Sequence, residues 1–182
     1  MLTIKSKPIL EYKIDLLPAD ITEIIFVVNY KKEQIIDYFG NFLNGRKITY
    51  VVQENLNGTG GAINLLKNVA DEKFAVMMGD DLYHKNDIED ILKYELAILI
   101  HEAEYPSKFG AIKIDGGGNL IDVIEKTENP ENNLVNTGLY MLNRKFFDYD
   151  LVPIGNREFG LPQTLAKMAK DHNIKVLKAR FW

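Results

Sequence analysis

The sequence predicts an α/β fold: a Rossmann-like, mixed but mainly parallel sheet flanked by helices, with an antiparallel extension. Up to residue 94, short β-branched runs alternate with amphipathic stretches, which is typical of parallel strands joined by helices. From residue 96 onward, strand-like runs follow one another with few helices between them, which indicates antiparallel pairing. The 182 residues are 46% apolar and 26% charged, as is usual for a soluble globular domain.

Helix-like and strand-like segments alternate in the first half of the chain. A helix is predicted at 8–17, because Pro8 suits the first turn of a helix. The runs at 24–28 and 74–78 are apolar throughout, which predicts strands that are buried on both faces. The other elements predicted here are a strand at 48–52 and helices at 31–39, 60–69 and 87–94.

The second half is predicted to be mostly strands. The G-G-G-N segment at 116–119 is typical of a hairpin turn and separates two of them. No stretch has the composition of a linker, so a single domain over residues 1–182 is expected. The predicted elements are strands at 96–101, 109–114, 120–125, 135–142 and 174–181, and a helix at 162–171.

Composition and charge exclude several classes of protein. The chain has no cysteine, which excludes a disulfide scaffold and a thiol nucleophile and fits a reducing compartment. The net charge of −4 gives no basic field for nucleic acid or an anionic membrane. The N-terminus has no apolar core of a signal peptide, and the apolar runs are too short to span a membrane. We therefore expect a cytoplasmic protein without nucleic-acid or membrane partners.

In an open α/β sheet, ligands bind beyond the carboxyl ends of the strands, so the residues that follow each predicted strand are informative. After the strand at 48–52, Gln53 offers an amide donor and acceptor suited to a nucleobase edge. Gly58 and its neighbouring glycines allow close approach to a flat or anionic ligand. Thr59 is placed to cap the next helix, whose amino end would favour phosphate. The alternative is an ordinary strand-to-helix turn.

A G-D-D segment at 79–81 follows the apolar run at 74–78. A carboxylate at the end of a buried strand is a common way to hold Mg²⁺ near phosphates, which makes Asp80 a candidate metal ligand. The alternative is a turn or helix-capping aspartate. Two roles stay open for Asp81: its carboxylate is either solvated or a supporting partner of the site.

Further polar residues follow two later strands. Glu125 is suited to accept hydrogen bonds from sugar hydroxyls, and Lys126 to pair with a phosphate, although the two also fit an ordinary surface charge pair. The N-T-G-L-Y segment at 136–140 opens a strand with groups that can bind a polyol. The three histidines lie at scattered positions, so no zinc helix is indicated, and neither G-x-S-x-G nor a P-loop motif occurs.

These segments, taken in order, resemble the sugar-phosphate nucleotidyltransferases. This family makes UDP-, dTDP- or GDP-sugars from a nucleoside triphosphate and a sugar 1-phosphate. Each motif is modest alone, but five in the same order are strong evidence. The matching segments are K-P-I-L-E-Y at 7–12, Q-x-x-x-x-G-T-G-G-A at 53–62, F-A-V-M-M-G-D at 74–80, F-G-A-I at 109–112 with N-L-I-D-V-I-E-K at 119–126, and N-T-G-L-Y at 136–140.

The resemblance implies transfer of a nucleoside monophosphate from a triphosphate to a sugar 1-phosphate, with Mg²⁺ as cofactor and release of pyrophosphate. UTP or dTTP is favoured as the nucleotide, because Gln53 would accept uracil and thymine alike. Asp81 matches no strict family position. The implied roles are nucleotide binding by Gln53, Gly58 and Thr59, sugar binding by Gly110, Glu125 and Asn136, metal binding by Asp80, and catalysis by Asp80 and Lys126.

The sequence also departs from the family at both ends. The family begins with a strand and a glycine-rich loop that wraps the triphosphate, and it continues past a tryptophan like Trp182 to a second metal-binding aspartate. We therefore expect residues 1–182 to be a domain truncated at both ends. Activity in this form stays open, and the alternatives are a non-catalytic nucleotide-sugar-binding or regulatory subunit and a Rossmann-like module with unrelated chemistry.

The expected missing strand would lie in the middle of the sheet. Without it, the strands at 24–28 and 74–78 would expose unpaired edges. The sequence therefore predicts low stability or association through those edges, which makes a homo-oligomer an expected form of the protein.

Overall fold

The computed structural model describes residues 1–106, 110–124 and 132–182. Within these ranges the helices are α1 (Ile9–Leu16), α2 (Lys32–Phe39), α3 (Gly58–Asn64), α4 (Lys85–Ile91) and α5 (Leu161–Met168), with a 3₁₀ helix at Arg144–Asp148. None of these helices is long and apolar enough to cross a membrane. α3 ends earlier than predicted because the following residues form tighter turns, in which the Leu66 N–H donates to the carbonyl of Ile63.

Thirteen strands are present in the described ranges. Five short strands, at 3–4, 7–8, 42–43, 152–155 and 158–160, were not predicted, whereas the strands expected from the apolar runs are confirmed with small shifts of their ends. The strands are β1 (Thr3–Ile4), β2 (Lys7–Pro8), β3 (Glu23–Val28), β4 (Phe42–Leu43), β5 (Arg46–Val52), β6 (Lys73–Met77), β7 (Ala97–Glu102), β8 (Ala111–Ile114), β9 (Leu120–Ile124), β10 (Leu134–Asn143), β11 (Val152–Gly155), β12 (Glu158–Gly160) and β13 (Lys175–Lys178).

The described strands form two principal sheets, and together with the helices they confirm the mixed α/β fold. In the larger sheet the order is β13-β7-β10-β8-β9, with β6 also paired to β10. β7 and β13 run parallel, whereas β10 is antiparallel to β6, β7 and β8. In the smaller sheet β3 and β5 are parallel and β4 completes the edge of β5. The parallel pairs and the antiparallel extension therefore coexist, with β10 as the central strand of the extension.

The larger sheet separates two apolar cores, because alternate residues of a strand face opposite sides. Ile98 and Ile100 of β7 pack in the core that also contains α5 and the 3₁₀ helix. Ala97 and Leu99 of the same strand pack on the other side, together with α4. A third, smaller cluster joins α1 and α2 to β5. The larger sheet therefore has α4 on one side and α5 on the other, whereas α1 packs with α2 against the smaller sheet.

The strands β3 and β6 are both less buried than the sequence predicts, and in β6 only Val76 is buried. In β3, residues 24–27 are only half-buried, and Val28 alone is buried. Among the described residues, the hydrogen-bonded partner of β3 is β5 and that of β6 is β10. Each strand therefore has one edge that no described ladder covers, and this explains why an all-apolar run stays partly exposed.

We expect the free edges of β3 and β6 to make the protein associate as its concentration rises. Sedimentation velocity at increasing protein concentration should show dimers or larger species. A lysine at Ala75, an exposed residue of β6, should reduce this association, because edge charges oppose strand pairing. Val69→Lys, which changes an exposed residue outside the strands, is the matched control. A monomer of high melting temperature at all concentrations would contradict this prediction.

Candidate functional site

The candidate site lies at the carboxyl end of β6. The strand ends at Met77, and the chain continues through Met78 and Gly79 to Asp80 and Asp81. Asp80 is exposed, whereas Asp81 is half-buried. The Asp80 carboxylate is thus open to an incoming ligand at the place where the sequence predicted it.

Two neighbouring elements fix the backbone at this strand end. The Met78 N–H donates to the Gly138 carbonyl over 3.1 Å and lies 3.3 Å from the Tyr83 hydroxyl. That hydroxyl donates in turn to the Thr137 carbonyl over 3.1 Å. Burial raises the pKa of Tyr83 far above its usual range, so the hydroxyl keeps its proton and remains a donor. The position of Asp80 therefore depends on contacts with β10.

Gly138 is the closest point of approach between β10 and the site. Its φ is +78°, in the left-handed region, and the register of β10 against β7 shifts between Asn136 and Tyr140. A Cβ at this position would overlap the Cγ of Met78. The glycine in N-T-G-L-Y is therefore required by the bulge and by the contact with Met78.

We expect Gly138→Ala to lower the free energy of unfolding by roughly 2–4 kcal/mol, from the positive φ and from overpacking against Met78. Urea unfolding followed by circular dichroism measures the change. Gly116→Ala is the matched control, because an added Cβ there meets no atom within 4 Å. Equal stabilities of the two variants would contradict the proposed role of the contact.

Asn136, predicted to bind sugar, is anchored at both ends of its amide. Its Nδ2 donates to the Tyr140 hydroxyl over 2.5 Å, and its Oδ1 accepts from the Gly138 N–H over 3.0 Å. The side chain thus holds the bulge of β10. A sugar hydroxyl would have to use the second lone pair of Oδ1 or the second N–H, so sugar binding by Asn136 stays a prediction.

A buried lysine that the sequence analysis did not single out also reaches this strand end. Lys13 of α1 is only 4% exposed, and its Nζ donates to the Met78 carbonyl over 2.5 Å. Burial lowers the pKa of Lys13 to about 8, and the charges of Asp80 and Asp81 act in the opposite direction. The signal was available, because Lys13 lies at helical spacing from Ile9 and Leu16 on the apolar side of its helix.

The lowered pKa of Lys13 predicts how stability depends on pH. A lysine in the unfolded chain titrates near 10.5, so between pH 8 and 10.5 the unfolded chain binds more protons than the folded protein. The free energy of unfolding should therefore rise over this interval, by about 1–3 kcal/mol. Urea unfolding in EDTA measures it, and Lys13→Met should flatten the rise. Parallel pH profiles for the two proteins would contradict the assignment.

Asp81 connects the site to the C-terminal segment. Burial and the neighbouring charge of Asp80 raise its pKa, whereas a hydrogen bond with the Trp182 side chain and the charge of Lys13 lower it. The Trp182 ring also lies 6.0 Å from the His101 ring. Asp81 is thus not a fully solvated carboxylate, and its role as a supporting partner of the site stays a prediction.

The segment at 53–62 forms a closed turn. The Gln53 Nε2 donates to the Asn57 Oδ1 over 2.9 Å and to the Gly58 carbonyl over 3.1 Å. Gln53 therefore uses its amide donors within the loop, and base recognition by this residue stays a prediction. A pocket of about 250 Å³ lies against the loop and is lined by Val52, Gln53, Glu54, Asn55, Asn57, Gly61, Asn64 and Leu65.

The glycines of this segment are needed for packing within the protein, whereas the sequence had suggested close approach of a ligand. Gly58 has φ +87°, and an added Cβ would lie 2.5 Å from the Phe159 carbonyl oxygen. At Gly61 an added Cβ would overlap the Asn57 side chain. The Asn57 carbonyl also accepts from the Phe159 N–H over 2.8 Å. The close neighbour of Gly58 is thus β12, and that of Gly61 is the Asn57 side chain.

The predicted capping role of Thr59 is wrong. α3 begins at Gly58, its N-cap residue is Asn57, and no side chain caps it. The Thr59 hydroxyl instead accepts from the Leu161 N–H over 3.1 Å, at the start of α5. This contact satisfies a free N–H of α5 and ties the loop to that helix. Nucleotide binding by Gly58 and Thr59 therefore stays a prediction without support from the cap.

The structure describes only some of the residues that were predicted to bind sugar and phosphate. Gly110 lies directly before β8, and an added Cβ would be in ordinary contact with Ile124 and Val123. Glu125 and Lys126 lie outside the described residues. Their expected contacts with sugar and phosphate therefore stay predictions.

The oxygen donors at the end of β6 fit Mg²⁺ as a cation shared with a ligand. Mg²⁺ usually takes one or two carboxylates and completes its coordination with phosphate oxygens and water. Asp80 and its neighbour Asp81 can supply the carboxylates. In residues 1–106, 110–124 and 132–182, no cluster of three or more acidic, histidine or cysteine side chains is positioned to hold a metal alone.

Comparison with known proteins assigns the family. The family model for nucleotidyl transferases matches residues 1–182. The chain is 35% identical over 185 residues to the bifunctional protein GlmU of Methanocaldococcus jannaschii. It is 36% identical over 182 residues to a bifunctional sugar-1-phosphate nucleotidylyltransferase/acetyltransferase of Sulfurisphaera tokodaii. The chain therefore belongs to the nucleotidyl transferase family, which confirms the resemblance found in its sequence.

Each alignment covers nearly all of this chain but less than half of the relative. The alignments cover 100% and 96% of this chain but only 44% and 43% of the two relatives, so the chain spans less than half of their length. A solved structure of UDP-glucose pyrophosphorylase with UDP-glucose has the same fold, with a TM-score of 0.82 at 22% identity. That match covers 98% of this chain and 81% of the other.

Proposed function

We propose that this chain is a sugar-1-phosphate nucleotidyltransferase domain. It transfers a nucleoside monophosphate from a nucleoside triphosphate to a sugar 1-phosphate and releases pyrophosphate. The observation that carries the proposal is the alignment of nearly the whole chain, at 36% identity, with a relative whose name states sugar-1-phosphate nucleotidylyltransferase activity. The exposed carboxylate of Asp80 at the end of β6 supports it.

In the proposed reaction, a phosphate oxygen of the sugar 1-phosphate attacks the α-phosphorus of the nucleotide. A new P–O bond forms as the bond to the β-phosphate oxygen breaks, and pyrophosphate leaves with the electron pair. Both reactants are anions, so the protein contributes mainly positioning and neutralisation of charge. No covalent intermediate with the protein is needed.

The residues divide between the two substrates and the metal. Asp80 would hold Mg²⁺, which neutralises phosphate charge when it is bound. Gln53, Gly58 and Thr59 are proposed to bind the nucleotide, and the pocket beside Gln53 supports a ligand at that loop. Gly110, Glu125 and Asn136 are proposed to bind the sugar. Lys126 is proposed to pair with the sugar phosphate, where it stabilises charge that the attacking oxygen carries.

The nucleotide is proposed to be UTP or dTTP. Gln53 offers a donor and an acceptor, which match the edge shared by uracil and thymine. Its Nε2 already donates to Asn57 and Gly58, so recognition depends on its Oε1 or on a change of the loop. Because Gln53 alone does not secure selection of a pyrimidine, the test also includes a purine nucleotide.

The test is pyrophosphate release with Mg²⁺ for UTP, dTTP and GTP, each combined with glucose, mannose and N-acetylglucosamine 1-phosphate. The 182-residue chain is compared with a version extended upstream through any glycine-rich loop encoded in frame. Release by either protein, dependent on both substrates, supports the proposal. Release by the extended version alone identifies the loop as a required part. No release by either protein contradicts the proposal.

A binding or regulatory role is the second candidate. The charges that act on Asp81 are the negative Asp80 and the positive Lys13, and Lys13 is buried. Among the described residues, the positive charge that acts on Asp81 is therefore a buried one, whereas transfer between two anions needs accessible positive charge. Isothermal titration that finds nucleotide-sugar binding without pyrophosphate release in both proteins would favour this second role.

A further inference from the structure

The burial of Lys13 is unusual for a charged side chain. The residue is 4% exposed in α1, and its Nζ donates to the carbonyl of Met78. An ammonium group removed from water costs several kcal/mol unless opposite charges compensate for it. A carbonyl supplies only a partial charge, so further compensation is expected nearby.

Two carboxylates provide part of that compensation, although burial still outweighs their effect on the pKa of Lys13. Asp80 and Asp81 are the charged groups that act on Lys13, and both favour its protonated form. Asp80 and Asp81 also repel one another, and the charge of Lys13 counters this effect on Asp81. With its pKa at about 8, Lys13 carries its charge at pH 7. The end of β6 thus combines the two negative charges of Asp80 and Asp81 with the buried positive charge of Lys13, which is held at the Met78 carbonyl.

The position of Lys13 is set by the fold. Leu10, on the same helix, is the nearest neighbour of Gly79, since an added Cβ there would lie 3.9 Å from the Leu10 Cδ2. Lys13 follows three residues later, and the turn of the helix carries its side chain to the carbonyl of Met78. The ammonium is therefore held at the carbonyl of the residue two positions before Asp80.

We propose that Lys13 is a positioning residue that acts as a built-in counter-charge for Asp80 and Asp81, and that it weakens the binding of a free divalent cation at Asp80. The proposal rests on the proposed function, in which Asp80 holds Mg²⁺. A cation that arrives alone is repelled by the fixed ammonium. A cation that arrives with phosphate brings negative charge, which the same ammonium attracts. Lys13 thus favours the cation–nucleotide complex over the free cation.

A purely structural role for Lys13 makes a different prediction. Methionine has a similar length and no charge, and neutral replacement of a buried ion is often tolerated by the fold. If Lys13 only packs, Lys13→Met should alter stability and leave cation affinity unchanged. Lys13→Gln keeps a donor for the Met78 carbonyl and provides a second neutral variant.

The test is the binding of Mn²⁺ alone to the full chain, measured by the electron paramagnetic resonance signal of free Mn²⁺. Lys13→Met and Lys13→Gln should bind Mn²⁺ at least about fivefold more tightly than the unchanged protein, as expected when a nearby positive charge is removed. Lys67→Met is the matched control. It removes the same charge from an exposed lysine that also lies near a carbonyl, that of Phe147, and it should leave the affinity unchanged.

The Asp80→Asn variant distinguishes a failure of the proposed counter-charge from a failure of the metal assignment. If Asp80→Asn weakens Mn²⁺ binding and the Lys13 variants bind no more tightly than the unchanged protein, the counter-charge is overturned and the metal assignment stands. If Asp80→Asn leaves Mn²⁺ binding unchanged, both the counter-charge and the metal role of Asp80 are overturned. Pyrophosphate release then decides the proposed function independently.

Discussion

Replacing Asp80 with asparagine is expected to lower pyrophosphate release by at least about a hundredfold, which corresponds to roughly 3 kcal/mol of lost transition-state stabilisation. The carboxylate is exposed at the end of β6, where it would help to hold Mg²⁺, and the ion would neutralise phosphate charge. An amide keeps the shape and one oxygen but loses the negative charge. The loss should shrink as Mg²⁺ is raised, because part of the effect is weaker binding of the metal.

The measurement is initial velocity against Mg²⁺ concentration, in whichever form of the protein releases pyrophosphate. Asp20→Asn is the matched control, because it changes an exposed carboxylate in the loop between α1 and β3 and should leave the rate unchanged. Circular dichroism checks that both variants are folded. An Asp80→Asn protein with an unchanged rate at low Mg²⁺ would exclude Asp80 as the metal ligand.

Arg180→Met is expected to lower the free energy of unfolding by roughly 2–4 kcal/mol, because it leaves the carboxylate of Asp87 buried without its partner. Asp87 is 1% exposed and pairs with the Arg180 guanidinium. The same guanidinium lies 2.8 Å from Asp90. The Arg180 N–H still donates to Asp87 over 3.0 Å in the variant, which limits the loss.

The same variant should change the site, because Arg180 lies two residues before Trp182. Trp182 is the only tryptophan in the sequence, so its fluorescence reports on the contact with Asp81. We expect a shifted emission maximum in Arg180→Met. Arg144→Met removes a guanidinium that bonds to main-chain carbonyls and an exposed Glu72, so it should cost less and leave the emission unchanged. Equal stability losses in the two variants would refute the Asp87 pairing.

The sequence predicted the elements better than their pairing. Apolar β-branched runs give a local signal, and the strands they predicted are present. The pairing of β6 with β10 joins residues such as Val76 and Tyr140, which lie far apart along the chain, and periodicity carries no information about such partners. For the same reason the partial exposure of 24–27 was not predicted, because it depends on which edges are covered.

In the candidate site, too, features with a local sequence signal were predicted, whereas features that depend on tertiary contacts were not. The position of Asp80 just beyond the end of an apolar strand could be predicted, whereas its role as a metal ligand stays a prediction. Thr59 was misjudged because its partner, the Leu161 N–H, lies 102 residues away. The helical spacing of Lys13 placed it on the apolar side of α1, but Lys13 was missed as a site residue because the sequence does not show that this side packs against the end of β6. Local sequence thus located the strand end, whereas the charges around it follow from tertiary contacts.

The central claim is tested most directly by following labelled oxygen in the proposed transfer. A sugar 1-phosphate carrying ¹⁸O in its phosphate is incubated with the nucleotide and Mg²⁺, with the 182-residue chain and with the upstream-extended version, and the products are analysed by mass spectrometry. The account predicts a labelled nucleoside diphosphate sugar together with unlabelled pyrophosphate. Label in the pyrophosphate, or free nucleoside monophosphate without any nucleotide sugar, would contradict attack of the sugar phosphate on the α-phosphorus.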